Sequence, residues 1–173
     1  MSIKRLLLIN SEIKDILNNN LNLKTSPKIV IVCKTFSMEK ILPLIQHGHI
    51  HFAENKIQEA ELKWRDIKKQ FPQIKLHMVG KLQTNKAKKA VELFDYIHSL
   101  DNYKLAKKIF EYQKILKKNV NIFIQVNVGK ESQKNGINPE LLVNFISTCQ
   151  GELSLNIIGL MCLPPQSNNV EKY

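Results

Sequence analysis

The stretch Lys28-Ile29-Val30-Ile31-Val32-Cys33-Lys34-Thr35 decides how the rest of this chain is read. Ile29 to Cys33 run apolar without a break and are β-branched except for the cysteine. Such a run predicts a strand buried on both faces, the kind that parallel sheets contain. Ser37 follows and Glu39 falls in the first turn of a helix, so Lys34 stands where strand gives way to loop. In βα architectures that edge carries the chemistry. Two roles are open to Lys34. It ends a strand and faces solvent, as strand-ending lysines commonly do, or its amine is partly stripped of water, loses its proton near neutral pH and attacks an aldehyde.

Outward from this stretch the same unit recurs. Further apolar runs lie at 50–53, 75–80, 96–100, 121–128 and 155–163. Helical patterns separate them at about 37–47, 56–70, 85–94, 102–117 and 139–149. Gly48 suits the end of the first, and Asn138-Pro139 the start of the last. An amphipathic helix at about 2–19, with Ile3, Leu6, Leu7, Ile13, Ile16 and Leu17 at helical spacing, is expected to pack on the domain. Strands alternating with single helices predict a parallel sheet, closed as a (β/α) barrel or open and doubly wound. No Gly-x-Gly-x-x-Gly or P-loop follows any strand, which favours the TIM-barrel-like closure. Six strands fall short of eight, so an incomplete barrel in one domain over 1–173 is expected.

The 43% hydrophobic content excludes a disordered chain, and no apolar run is long enough to cross a bilayer. Lys4-Arg5 before Leu6 to Ile9 imitates a signal peptide, but Asn10, Ser11 and Glu12 interrupt the run too early, so a cytoplasmic protein is expected. Cys33, Cys149 and Cys162 are far apart, without metal-ligand spacing, and read as small core residues. The formal charge of +11 permits an anion- or nucleic-acid-binding module. Most of the basic groups are lysines in an asparagine- and isoleucine-rich chain, and no interleaved aromatic motif accompanies them. Nucleic acid is therefore not the expected partner.

In a barrel the strand ends share one rim. Here that rim gathers Lys34, Asn55, the polar loop Gly80 to Lys86, Asp101, Asn127, Lys134 and Met161. Asn55 also suits a helix N-cap, with Gln58 three residues on as in a capping box. The loop with Asn85 suits an anion or an ordinary capped turn. Gly129 to Gly136 reads as a rim loop with a second cation or as plain solvated surface. His77 lies inside the third strand and either points into the barrel or fills its wall. His47, His49 and His51 alternate around Gly48 and need not converge, so no metal site is assigned.

"VCKT" at 32–35, "FAENKIQEA" at 52–60, "LHMVGKLQTNK" at 76–86, "IHSLD" at 97–101, "QVNVGKESQKNGI" at 125–137 and "IIGLMCLPP" at 157–165 occur in this order. Together they resemble the pyridoxal phosphate homeostasis proteins, the YggS/PROSC family, which share the barrel of the alanine racemase N-terminal domain. The resemblance implies a non-catalytic carrier of pyridoxal 5′-phosphate (PLP) that holds the cofactor as a Schiff base on Lys34. Asn55, His77, Asn85 and Met161 match positions lining the cofactor cavity, and Lys134 matches a lysine offered as a second amine. It also implies a monomer that hands PLP to PLP-dependent apoenzymes. A PLP-dependent racemase-like enzyme is the alternative, and it needs a second acid/base and usually a further domain.

Three departures stand out. Ala53 replaces a frequent glycine, and Phe36 replaces a frequent lysine near Lys34. The family's last two βα units have no counterpart here, so the chain reads as C-terminally truncated. Barrel phosphate sites are built mainly from the loops after strands seven and eight. A weakened phosphate seat is therefore expected, with Lys81, Lys86 and Lys134 as remaining cations, and open barrel edges inviting self-association.

Overall fold

A computed structural model describes residues 3–20, 27–129, 131 and 135–165. Helix α1 (Ile3–Asn19) precedes six strands: β1 (Ile31–Val32), β2 (His51–Glu54), β3 (Lys75–Met78), β4 (Tyr96–Leu100), β5 (Asn121–Val126) and β6 (Ile157–Cys162). Between them stand α2 (Met38–Gln46), α3 (Ile57–Gln70), α4 (Ala87–Leu93), α5 (Tyr103–Leu116) and α6 (Leu142–Gly151). Single 3-10 turns at Thr84–Lys86 and Pro139–Leu141 lead into α4 and α6.

Every pairing is parallel, and the strands lie side by side in the order in which they occur. That order decides between the two closures. A doubly wound sheet reverses direction at a switch point, whereas a barrel wall does not. Among the described residues β1 and β6 do not pair with each other, so the wall stays open, as the strand count implied.

The pleat sorts side chains between two faces. Phe52, Leu76, Met78, Ile97, Ile122 and Ile124 point outward and are buried under the helices. Trp64 of α3 is fully buried, its ring 5.0 Å from that of Phe52. The stripe Ile57, Ala60, Trp64 and Ile67 thus docks as its spacing demands. Helix ends follow their local chemistry. Asn102 Oδ1 accepts the Leu105 N–H at 2.9 Å to open α5. Asn138 Oδ1 accepts the Glu140 N–H at 3.2 Å ahead of α6, and Gly48 takes φ 93° beyond α2.

Three expectations need correction. The first strand is two residues long and is not buried on both faces: Ile31 and Cys33 are covered, but Val32 is 43% exposed. As an edge strand it has a neighbour only at β2, and helices cover only its outer side. In α1 only Leu6 is fully buried, while Leu7 and Ile16 are exposed, because the helix meets the domain along a narrower stripe than its apolar content suggests. Cys33 and Cys149 are core residues, but Cys162 is exposed, on the outer face of edge strand β6 beside exposed Leu160.

Candidate functional site

Lys34 is exposed in a turn at the carboxyl end of β1, and it makes no hydrogen bond or ion pair with any described residue. The turn closes through the Phe36 N–H on the Cys33 carbonyl at 3.1 Å, and Thr35 at its third position has φ 65°. Helix α3 grips both sides of it. Lys63 Nζ donates to the Cys33 carbonyl at 2.9 Å, and Glu59 Oε1 accepts the Thr35 N–H at 2.8 Å. Lys63 also pairs with Glu59 at 2.5 Å and with Glu54 Oε1 at 3.2 Å. Glu54 is fully buried and takes a further hydrogen bond from Trp64 Nε1 at 3.0 Å. Burial pushes the Glu54 carboxyl above its ordinary range, against the pull of Trp64 and Lys63. Burial also opposes the charge on Lys63, but Glu59 and Glu54 outweigh it and the amine lies above its usual value. The Lys63 hydrogen bond, followed by that of Thr35, holds Glu59 low.

Asn55 and Gly80 end the neighbouring strands. The backbone pairing runs on past β2 and β3, with the Val79 N–H on the Glu54 carbonyl at 3.0 Å. A Cβ on Gly80 would lie 2.1 Å from the Asn55 carbonyl oxygen, so only glycine allows the two ends to meet this closely. The N-cap of α3 is Lys56, without a side-chain cap. Asn55 therefore does not perform the capping role its sequence position allows, and its Oδ1 is buried without a partner. A buried acceptor left open costs free energy unless a ligand fills it. Lys34 and Asn55 thus follow two paired strands, one with an exposed amine and the other with a buried acceptor left open.

His77 lies below that layer, on the inner face. It is 4% exposed and forms the middle of a row of imidazoles. His51 Nδ1 meets His77 Nε2 at 3.0 Å, and His77 Nδ1 meets His98 Nε2 at 2.8 Å. Tyr96 stacks on His77 at 4.2 Å and Phe123 on His98 at 4.3 Å. Gly159 leaves room for the Phe123 ring, which an added Cβ would approach to 3.0 Å. Burial pushes His77 down to about 3, helped by the other two histidines, and His98 down to about 4. The row is thus neutral at physiological pH. The sequence placed only His77 of the three at the site, although a signal was present: Ile50-His51, Leu76-His77 and Ile97-His98 repeat one apolar-histidine pair in three successive strands. His49 instead turns its ring to the His51 carbonyl at 2.9 Å.

Of the remaining expected residues, Asn85 and Met161 stand on other elements. Asn85 is exposed in the 3-10 turn and lines an open cleft of about 430 Å³ with Thr84, Lys104, Lys108 and Tyr112 against α5. Met161 lies on β6, at the opposite edge of the sheet, paired in register with Gln125. Lys134 lies outside the described residues. The rim segment beyond β5 returns to the sheet through the Ile137 N–H on the Gln125 carbonyl at 2.8 Å, so its described ends are built in.

The family model described as alanine racemase, N-terminal domain, matches residues 15–173. The chain is 34% identical over 152 residues to the pyridoxal phosphate homeostasis protein of Vibrio cholerae, covering 87% of this chain and 63% of that one. It thus spans somewhat under two thirds of the length of the curated relatives it matches. Among solved structures it is similar to PipY of Synechococcus elongatus without PLP, at TM-score 0.78 and 30% identity over 92% of this chain and 74% of that one. It is also similar to PipY with PLP bound, at TM-score 0.74 and 30% identity over 89% and 71%.

Proposed function

Since the chain belongs to the alanine racemase N-terminal domain family, we propose that it binds PLP in the service of PLP homeostasis, with Lys34 as the amine that meets the cofactor. When bound, the group would supply an aldehyde able to condense reversibly with an uncharged amine, with loss of one water and no oxidant. The residues of this chain do the rest. Lys34 offers an amine not committed to any described partner, and Asn55 Oδ1 offers a buried acceptor on the adjacent strand end. The observation that carries the reading is an uncommitted amine and an open buried acceptor just past the ends of two paired strands. The likeness to PipY with PLP bound and to the homeostasis proteins supports it.

The role is that of a carrier. Racemisation needs an acid/base on each face of the ligand. Among the described residues around the turn, Glu54, Glu59 and Lys63 are committed to one another and to the backbone of the turn. His77 contributes as a neutral floor beneath the mouth, and Asn85, Met161 and Lys134 remain proposed cofactor contacts, the last on sequence alone. PLP-dependent apoenzymes are the receivers of the released cofactor, which places the protein in the cytoplasm. Among the described residues, no helix is long and apolar enough to cross a membrane.

The test is retention of PLP after loading and dialysis. The visible absorption of the condensed cofactor should persist at one equivalent per chain, and borohydride should fix its mass on the Lys34 peptide. Lys34→Ala should lose both. Stoichiometric PLP on Lys34→Ala, or steady turnover of an amino-acid enantiomer by the native protein, sinks this reading.

A further inference from the structure

The turn that presents Lys34 is costly by itself. Thr35 takes φ 65° at the third position, where turns of this kind ordinarily place glycine, and it is β-branched. Backbone pairing with β2 reaches the Cys33 N–H, on the Ala53 carbonyl at 2.8 Å, and does not extend around the turn. Its two flanking peptide groups are instead held from outside the sheet, by two side chains one helical turn apart on α3. Lys63 Nζ sits on the Cys33 carbonyl at 2.9 Å and Glu59 Oε1 on the Thr35 N–H at 2.8 Å. The two are joined to each other at 2.5 Å. The grip is anchored in the core, because Lys63 also reaches fully buried Glu54, whose Oε1 is fixed by Trp64.

We propose that Glu59 and Lys63 are positioning residues for Lys34, an ion pair that clamps its strained turn and so fixes where the amine is presented to an aldehyde ligand. This rests on Lys34 being the amine that meets PLP. Neither residue touches the ligand; each acts through the backbone on one side of Lys34. Strain at a binding residue persists only where its surroundings over-determine it, and the clamp supplies that surplus of contacts. The consequence is kinetic. A lysine on a relaxed turn still bears an amine but spends less time in the attacking position, and small misplacements of a reacting atom are expensive.

The experiment uses the full chain and PLP itself. Protein is mixed with PLP, quenched with borohydride at intervals, and the mass gained on the Lys34 peptide is followed beside that on other lysine peptides, with unfolding midpoints measured in parallel. Glu59→Ala should slow trapping at Lys34 about tenfold, as expected for losing one charge-assisted hydrogen bond, and leave the other lysines unchanged. Glu59→Gln keeps an acceptor for Thr35 but loses the pair with Lys63, so it should slow trapping about threefold and guards against a misfolded alanine variant. Adding Thr35→Gly to Glu59→Ala should restore the rate, because glycine holds the left-handed turn without a clamp. Native rates in both Glu59 variants, or a loss that Thr35→Gly leaves in place, overturn the clamp. A Lys34→Ala protein that still takes up stoichiometric PLP is a separate result, and it removes the cofactor reading beneath it.

Discussion

Two polar clusters lie back to back on the same sheet and solve opposite problems. On the outer face, the Glu54–Lys63–Glu59 group carries full charges into the seam between β2 and α3, and each charge has an opposite partner within 3.2 Å. On the inner face, His51, His77 and His98 carry no charge, and burial is the main cause that holds all three low. The first cluster is stable only while intact, because removing one ion strands another. The second is stable only while unprotonated. What separates them is the supply of counter-charge: α3 brings a cation to the outer face, whereas the partners of His77 on the inner face are rings.

Removing Lys63 gives the largest effect. Lys63→Met leaves the Glu54 carboxylate buried with only the Trp64 N–H, and should cost about 3–5 kcal/mol in urea unfolding. Lys63→Met with Glu54→Gln in the same chain should recover much of that, since the stranded charge is then gone. If Lys63→Met costs less than about 1 kcal/mol, the seam behaves like an exposed surface pair and the contrast between the clusters disappears.

Acid is the second way to separate them. An unfolded histidine binds a proton below its ordinary 6.5, whereas folded His77 resists to about 3 and folded His98 to about 4. Over that window the unfolded chain holds more protons, so the stability is fully present above about 6.5 and is lost as pH falls. Between about 6.5 and about 4 each ring accounts for about 1.4 kcal/mol per pH unit, or about 3 kcal/mol per pH unit for the two. Glu54 has the opposite sign. Its folded pKa is raised, so the penalty it carries at neutral pH is relieved as pH falls through that value. His77→Phe keeps the stack on Tyr96 and removes the ring hardest to protonate, so the acid slope should fall by about half in urea titrations. An unchanged slope would place the acid sensitivity elsewhere.

Much of this fold was legible in the sequence, and the reasons differ by element. β4 falls on its predicted residues, and α3 and α5 come within one residue of theirs at each end, because apolar spacing reports a buried stripe directly. The environment of β1 was not legible, since five apolar residues look alike whether one side or both are covered. At the site, Lys34 was marked by its place at a strand end. The clamp was hidden because Glu59 and Lys63, four residues apart on a helix, read as an ordinary surface pair. Only the docking of α3 over the end of β1 turns that pair inward. Asn55 shows the reverse: its position suggested an N-cap, and its unfilled Oδ1 shows that this role goes unused.

The smallest effect tests whether the turn is held or merely tolerated. Thr35 in the left-handed region costs about 1–2 kcal/mol, and glycine would remove that cost while adding about 0.5–1 kcal/mol of unfolded-state freedom. Thr35→Gly should therefore stabilise the protein by about 0.5 kcal/mol in chemical unfolding. The gain should shrink in a Lys63→Met background, where a threonine turn is free to relax and has less strain left to relieve. That coupling between a turn residue and a helix residue is what a clamp produces. Equal gains in both backgrounds would mean that Thr35 is held by its own turn, with the charged seam acting on the core of the protein and not on its lysine.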